Sequence, residues 1–437
     1  MGGCAELSRR TFPPRPSSVG EARRMIRGGL LHAGRDDLVE TAELLVSEIV
    51  TNALVHAGTP IVVAFSFPDG VLRVEVSDGS PHAPSPRAYG PSAGTGRGLM
   101  LLEDMVADWG VVPAPTGKTV WFQVAPEGER RDGSTPGRGE EQPPREARVA
   151  HDTVDVQLLE VPLLLHEAWR QHSESLLREH LLASLNPDVD LPAAGPGPDP
   201  IEVHAQASDA IALLAEQIPP SGISDDPVDV MVNATAPLVT ASSVELRVPL
   251  GSVDHFATLD RTIEAALDLV EAGVFLTPAT QPEVQALRAW LCAEVRRQAV
   301  GEVATAWSPL DEPPLQVPHM LRWDTDRVSD STTPVLAADD ADRIVAVSGP
   351  ALDLLGYEQE RDLVGSRLIC VIPERYRQAH LAGFTMHFLS GRAPLIDRTV
   401  VVPALRRDGS EVEVSLTIHR ARSDDGRAVF VADLAPV

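Results

Sequence analysis

The chain has one lysine, Lys118, three cysteines and no long apolar run, and each scarcity excludes something. Cys4, Cys292 and Cys370 lie far apart and share no metal-ligand spacing, so neither a zinc site nor a disulfide framework is expected; Cys292 and Cys370 read as buried thiols of a reducing compartment. No stretch reaches the roughly 18 apolar residues of a membrane span. The start, Met1-Gly2-Gly3-Cys4, is followed by no apolar region, and Glu6 spoils a myristoylation match, so neither a signal peptide nor a lipid anchor is expected. The cytoplasm is the expected compartment.

Basic side chains are also scarce. There are 37 against 63 acidic ones, a net charge of −26, and the excess is local. Residues 1–125 carry 11 basic and 13 acidic side chains, residues 325–437 carry 13 and 17, and residues 150–323 carry 8 and 26. The acidic middle repels nucleic acid; its charge suits either a basic protein partner or helix faces turned to solvent.

Among the features present, Ser47-Glu48-Ile49-Val50-Thr51-Asn52-Ala53-Leu54-Val55-His56 is the most informative. Spacing i, i+4 puts Glu48, Asn52 and His56 on one helix face, with Leu45, Ile49 and Ala53 turned to a core. A carboxamide one turn from a carboxylate suits Mg2+ on a nucleotide beside a proton acceptor, although the same stripe also fits a solvated face. The segments after this helix support the first reading. Ile61 to Phe67 and Val71 to Ser77 alternate around Pro68-Asp69-Gly70 and predict a hairpin that delivers Asp78-Gly79-Ser80 at a strand end. Gly94-Thr95-Gly96-Arg97-Gly98-Leu99 then opens an apolar helix, Met100 to Trp109, where backbone amides and a helix N-terminus can meet polyphosphate. Gly117-Lys118-Thr119-Val120-Trp121-Phe122 predicts a last strand.

In this order the elements resemble the GHKL ATPase superfamily, and within it the small serine kinases that act as anti-sigma factors, over about residues 18–125. The resemblance implies Asn52 as the Mg2+ ligand, Glu48 as the base that activates a substrate serine, and Asp78 as the reader of the adenine amino group. It also implies Gly94, Gly96, Arg97 and Gly98 as a lid over the phosphates and Thr119 as part of the final box. The usual D-x-G-x-G is reduced here to Asp78-Gly79-Ser80.

Residues 126–149, almost without apolar side chains, predict a disordered linker, and a proline-rich second linker is expected at 308–329. Between them residues 150–307 predict an acidic helical domain with helices at Val154 to Leu185, Ile201 to Gln217, Ser252 to Ala272 and Gln281 to Val300; Val244 to Leu250 alternates and fits a short strand or an extended connector. His166, with Glu167 next to it, His172 and His180 sit on the first of these helices, and a His-Glu pair can also mark a phosphoacceptor helix. Such helices normally precede an ATPase domain, whereas these come after one.

Residues 330–434 return to a mixed pattern. Ala351-Leu352-Asp353-Leu354-Leu355-Gly356-Tyr357, Val364-Gly365-Ser366, Ile372-Pro373-Glu374-Arg375 and Arg406-Arg407-Asp408-Gly409 resemble the motifs of a PAS sensor domain. Pro373 to His380 is similar to the helix of oxygen-sensing PAS domains whose histidine binds haem iron. The arginine such sensors use falls, on an ungapped alignment, at Val400, so His380 is read as a core histidine rather than a haem ligand.

The expected fold is multidomain α+β: an N-terminal Bergerat-type α/β sandwich, a mostly α-helical middle and a C-terminal PAS α+β domain. The expected function is an ATP- and Mg2+-dependent serine/threonine protein kinase of the anti-sigma type. Its expected partners are an antagonist protein bearing an acceptor serine and a sigma factor, with neither nucleic acid nor membrane; a homodimer is compatible. The alternatives are a non-catalytic, nucleotide-switched interaction module and an atypical histidine kinase using His166 or His172.

Overall fold

The structure is a computed structural model that describes residues 8–68, 71–79, 106, 108–114, 117–124, 153–185, 199–223, 233–275, 277, 281–309, 323–390, 395–424 and 427–437. The linker expected at 126–149 lies outside the described residues, as does most of the one at 308–329.

Among the described residues, the N-terminal unit is two helices on one face of a five-stranded antiparallel sheet. Strands β1 (Ser8–Phe12), β2 (Ile61–Ser66), β3 (Leu72–Asp78), β4 (Asp108–Ala114) and β5 (Gly117–Val124) lie in the order β1-β2-β3-β5-β4. Helix α1 (Ser17–His32) buries Ala22, Ile26 and Leu30 at four-residue spacing, and α2 (Val39–Ala57) buries Leu45, Val46, Ile49, Val50 and Ala53. Both stripes meet Val74, Val76, Val120 and Phe122 of the sheet. The helix layer sits close: a Cβ at Gly29 of α1 would lie 2.0 Å from the Phe65 ring. Two details differ from the sequence reading. Strand β1 precedes the expected boundary at residue 18 and pairs with β2, and Trp109 belongs to β4, not to a helix. Trp109 packs against this core across from Phe122, and that demand sets its conformation.

The middle unit contains a feature the periodicity does not disclose. Residues 153–162, expected to begin a helix, form strand β6 (Thr153–Pro162); α3 (Leu163–Leu185) and α4 (Pro200–Gln217) come next, then β7 (Thr240–Pro249), α5 (Val253–Glu271) and α6 (Pro282–Ala299). The two strands pair antiparallel about Gln157↔Glu245 and Leu158↔Val244. Among the described residues each half runs strand, helix, helix. The sequence repeats with it: Leu159-Glu160-Val161-Pro162-Leu163 leads into α3, and Leu246-Arg247-Val248-Pro249-Leu250 leads towards α5. Seven residues after the proline of each repeat stands a fully buried aromatic, Trp169 or Phe256, and each second helix opens on proline at N1, Pro200 or Pro282. Neither half can bury its apolar face alone, and the joined sheet and four helices share one core. In β6, alternation of Val156 and Leu158 with exposed Asp155 and Gln157 specifies the strand; Glu160, at φ 57°, then lies between the paired residues Leu159 and Val161.

The C-terminal unit is a second five-stranded antiparallel sheet, made of β8 (Val335–Asp339), β9 (Ile344–Val347), β10 (Thr399–Leu405), β11 (Glu411–Arg422) and β12 (Ala428–Pro436) in the order β10-β11-β12-β8-β9. Helix α7 (Gly349–Leu355) starts on the Ser348 cap and ends at Gly356, φ 75°, and α8 (Glu374–Ser390) begins after the Pro373 turn. Gly356, Gly365 and Gly409 of the three glycine-bearing PAS motifs all stand at positive φ, and the helix expected from Pro373 is α8.

Candidate functional site

Helix α2 presents Glu48 and Asn52 half-buried, one turn apart, beside a stripe that is otherwise core. Neither side chain makes a hydrogen bond or ion pair among the described residues. Half-buried polar groups usually find partners, so a carboxylate and a carboxamide left open on one face can both serve a ligand. The side chain of His56 lies outside the described residues.

The second component is Asp78, at the end of β3. Its carboxylate is 2 % exposed and lies 3.2 Å from the Nζ of Lys118, itself 8 % exposed. The two residues are directly opposite in the β3–β5 ladder, so both point to the face that carries Val76 and Val120, the face covered by the helices. Thr119, expected in this site, takes the other face, where its hydroxyl meets Ser77 at 2.7 Å, because strand parity turns neighbours to opposite sides. The residue beside Asp78 is therefore Lys118. A signal for it is present in the sequence: Lys118, Val120, Phe122 and Val124 share the phase of Leu72, Val74, Val76 and Asp78.

The backbone here is fixed tightly. The Gly79 N–H donates to the Thr59 hydroxyl at 2.8 Å, which ties the end of β3 to the turn after α2. Gly117 has φ +148°, and a Cβ there would stand 1.8 Å from the Asp78 carbonyl oxygen, so only glycine fits. Gly58 caps α2 in the left-handed region, and a Cβ on it would meet Ala205 of α4 at 2.6 Å. Helix α2 thus ends against the middle unit. The lid residues Gly94, Gly96, Arg97 and Gly98 lie outside the described residues.

The histidines of the middle helix are not placed for phosphoryl transfer. His166 and His172 are 5 % and 2 % exposed within the core of α3, and burial, then the Arg170 charge, pushes the His166 imidazole down to about 3. Cys292 is buried as expected, with its thiol pushed up by burial, and Cys370 is half-buried and pushed up to about 11.

In the C-terminal unit, His380 on α8 holds its Nε2 at 2.6 Å from Asp342 Oδ1. The other Asp342 oxygen accepts from Arg367 at 3.3 Å, and Arg367 reaches Glu283 at 2.5 Å and Gln281 at 2.8 Å, both at the start of α6. A buried charge network therefore joins this unit to the middle one. On the same side, Gln378 of α8 accepts from the Leu164 N–H of α3.

The arrangement is one of a nucleotide-binding sandwich and a sensor fold. Residues 12–124 match the family model of the histidine kinase-like ATPase domain, and residues 326–432 match that of the PAS fold. An uncharacterized protein of Azorhizobium caulinodans is 32 % identical over 103 residues, which is 23 % of this chain and 14 % of that protein. The LOV protein of Rhodobacter sphaeroides is similar at 17 % identity, TM-score 0.21, over 26 % of this chain and 64 % of its own. The PAS domain of an HTR-like protein from Haloarcula marismortui is similar at 20 % identity, TM-score 0.20, over 26 % and 93 %.

Proposed function

We propose that the chain is a regulatory protein kinase of the anti-sigma type, in which an N-terminal ATP site is governed by a C-terminal PAS sensor. The observation that carries the reading is the pair Glu48 and Asn52, open on one face of α2 above a sheet that presents buried Asp78. These residues fit Mg-ATP: Asn52 offers a neutral oxygen to the metal, Asp78 an acceptor to the base amine, and Gly117 lets the strands approach closely. Bound Mg2+ would neutralise phosphate charge during transfer. Glu48 accepts the proton of a serine hydroxyl on an antagonist protein, and Arg97 and the lid amides offset charge on the departing phosphoryl group. A sigma factor is the partner released or held in consequence. No described helix is long and apolar enough to cross a membrane.

The sensor has a physical route to this site. Helix α8 of the PAS unit packs on α3, α3 holds α4 through the His204 ring and the Leu177 carbonyl at 3.1 Å, and α4 abuts the end of α2 at Gly58. A shift of α8 therefore reaches the helix that bears Glu48 and Asn52. The competing reading is a non-catalytic module in which nucleotide only switches an interface; an open carboxylate at Glu48 favours the kinase, because binding alone needs no base. Glu48→Gln separates them. It should keep Mg-ATP affinity within about twofold, since size and hydrogen bonding are retained, and abolish transfer to the cognate serine. Equal phosphorylation by wild type and variant counts against Glu48, and no transfer by wild type to its true partner favours the switch.

A further inference from the structure

The nucleotide reading gives Asp78 a role and leaves its buried partner without one. We propose that Lys118 is a second base-reading residue, its ammonium donating to the ring nitrogen N1 of the adenine whose exocyclic amine Asp78 accepts. This rests on the nucleotide reading above and deepens it.

The placement is specific. Lys118 and Asp78 stand opposite each other on the helix-covered face, 3.2 Å apart, both nearly excluded from water. A buried ion pair contributes little net stability, because desolvating two charges offsets their attraction, and an apolar pair of similar volume would fill the same space. Its value is chemical. A carboxylate can only accept and an ammonium can only donate, so side by side they present one acceptor and one donor. The Watson–Crick edge of adenine is the complement: the N6 amine donates and the adjacent N1 accepts. A hydroxyl in place of Lys118 could do either and would discriminate less. The ammonium also offsets part of the cost of burying the carboxylate before nucleotide binds. The rung is held in register by its neighbours: Gly117 presses on the Asp78 carbonyl, where no Cβ fits, and the Thr59 hydroxyl accepts from the Gly79 N–H.

Because Lys118 is the sole lysine of 437 residues, lysine labelled with 13C at Cε gives one side-chain resonance in the full chain. The experiment compares ATP, 1-deaza-ATP, which lacks N1, and purine riboside triphosphate, which lacks the amine, by calorimetry and by that resonance. Wild type should bind ATP about tenfold to a hundredfold tighter than 1-deaza-ATP, the range for a hydrogen bond to a charged group. Lys118→Met should erase that ratio and retain the preference of ATP over purine riboside triphosphate. The lysine resonance should move with ATP and much less with 1-deaza-ATP, a readout that survives even if Lys118→Met fails to fold. Nucleotide binding with an unchanged ratio in the variant, or a lysine signal indifferent to ATP, overturns the proposal alone. Absence of binding by all three nucleotides overturns the nucleotide reading and the proposal with it.

Discussion

The two ends of the molecule treat buried polarity in opposite ways. At the N-terminal end Glu48 and Asn52 sit half-buried with no partner among the described residues, while at the C-terminal end Glu283, Arg367, Asp342 and His380 are joined in one continuous network. An unpartnered polar group at a protein surface costs little and stays available; a buried charge without a partner costs several kcal/mol, so it is found only where the fold supplies one. The first pattern suits the proposed site, which a ligand would complete, and the second a junction between domains. Even the junction is not saturated: Glu283 Oε2 and Arg367 Nε make no hydrogen bond. It binds the units by geometry rather than by surplus energy.

The comparison breaks most severely at Arg367. Arg367→Met leaves Glu283 and Asp342, 6 % and 0 % exposed, facing each other's charge without a cation between them. Loss of one member of a buried pair costs about 3–5 kcal/mol, a large share of a domain's stability. Chemical denaturation should show that loss, and the charge-free combination Arg367→Met, Glu283→Gln, Asp342→Asn should recover much of it; asparagine suits position 342, whose φ is 63°. A single variant as stable as wild type would mean that the junction is open in solution.

At the other end the largest expected effect is on binding and not on stability. Asn52→Ala removes a proposed metal ligand from a half-buried helix face where it has no partner among the described residues, so the fold should be unchanged within about 0.5 kcal/mol. Mg-ATP affinity should fall about a hundredfold, given that even outer-shell changes cost tenfold to a hundredfold. Calorimetry with unchanged Mg-ATP affinity would remove this helix face from the site.

How much of the fold and site is legible in the sequence depends on which symmetry each element obeys. The α2 stripe is readable because four-residue spacing alone puts Glu48 with Asn52 and Ile49 with Ala53. The PAS strands and turns are readable because Gly356, Gly365 and Gly409 hold positive φ at turns only glycine makes easily. Strand β6 is hidden because Leu158 to Leu165 supplies apolar residues at helical as well as strand spacing, and what decides for strand is pairing with β7, a contact nearly 90 residues away. Lys118 is masked by Thr119 for a related reason. A motif names residues, but the face a residue takes depends on ladder parity, and only the opposition of Asp78 to Lys118 fixes it.

The middle unit gives a third way to sharpen the contrast, through a buried group that must stay neutral. His166 is held neutral to about pH 3 by burial, against 6.5 in the unfolded chain, and its Nε2 has no hydrogen-bond partner. Above pH 6.5 neither state is protonated and no stability is lost. As pH falls from 6.5 toward 3 the unfolded chain takes up a proton that the native state refuses, so stability declines progressively. His180, pushed down by burial as well, adds to the decline in the same direction. Denaturation midpoints should drop between pH 6.5 and 5, and His166→Phe should flatten that slope. A slope unchanged by the substitution would show the ring reaching water.

The smallest effect is expected at a pair that looks as strong as any. Arg375 at the start of α8 meets both oxygens of Glu411 on β11, at 2.5 and 2.6 Å, on the same side of the PAS unit where the Arg375 carbonyl accepts from the Ala236 N–H. A 2.5 Å contact is shared with the buried junction, where Glu283 accepts from Arg367 through Oε1 alone. Exposure is not: the two side chains are 42 % and 37 % open to water, against 7 % and 6 % for Arg367 and Glu283. In the open setting water screens the attraction, and ordering two long side chains offsets much of what is left, so a double-mutant cycle of Arg375→Ala and Glu411→Ala should give a coupling of about 0.5 kcal/mol that shrinks further in high salt. The contact from Ala236 uses backbone and should persist in both variants. A coupling above about 2 kcal/mol would mean that this pair, too, is shielded from water in solution.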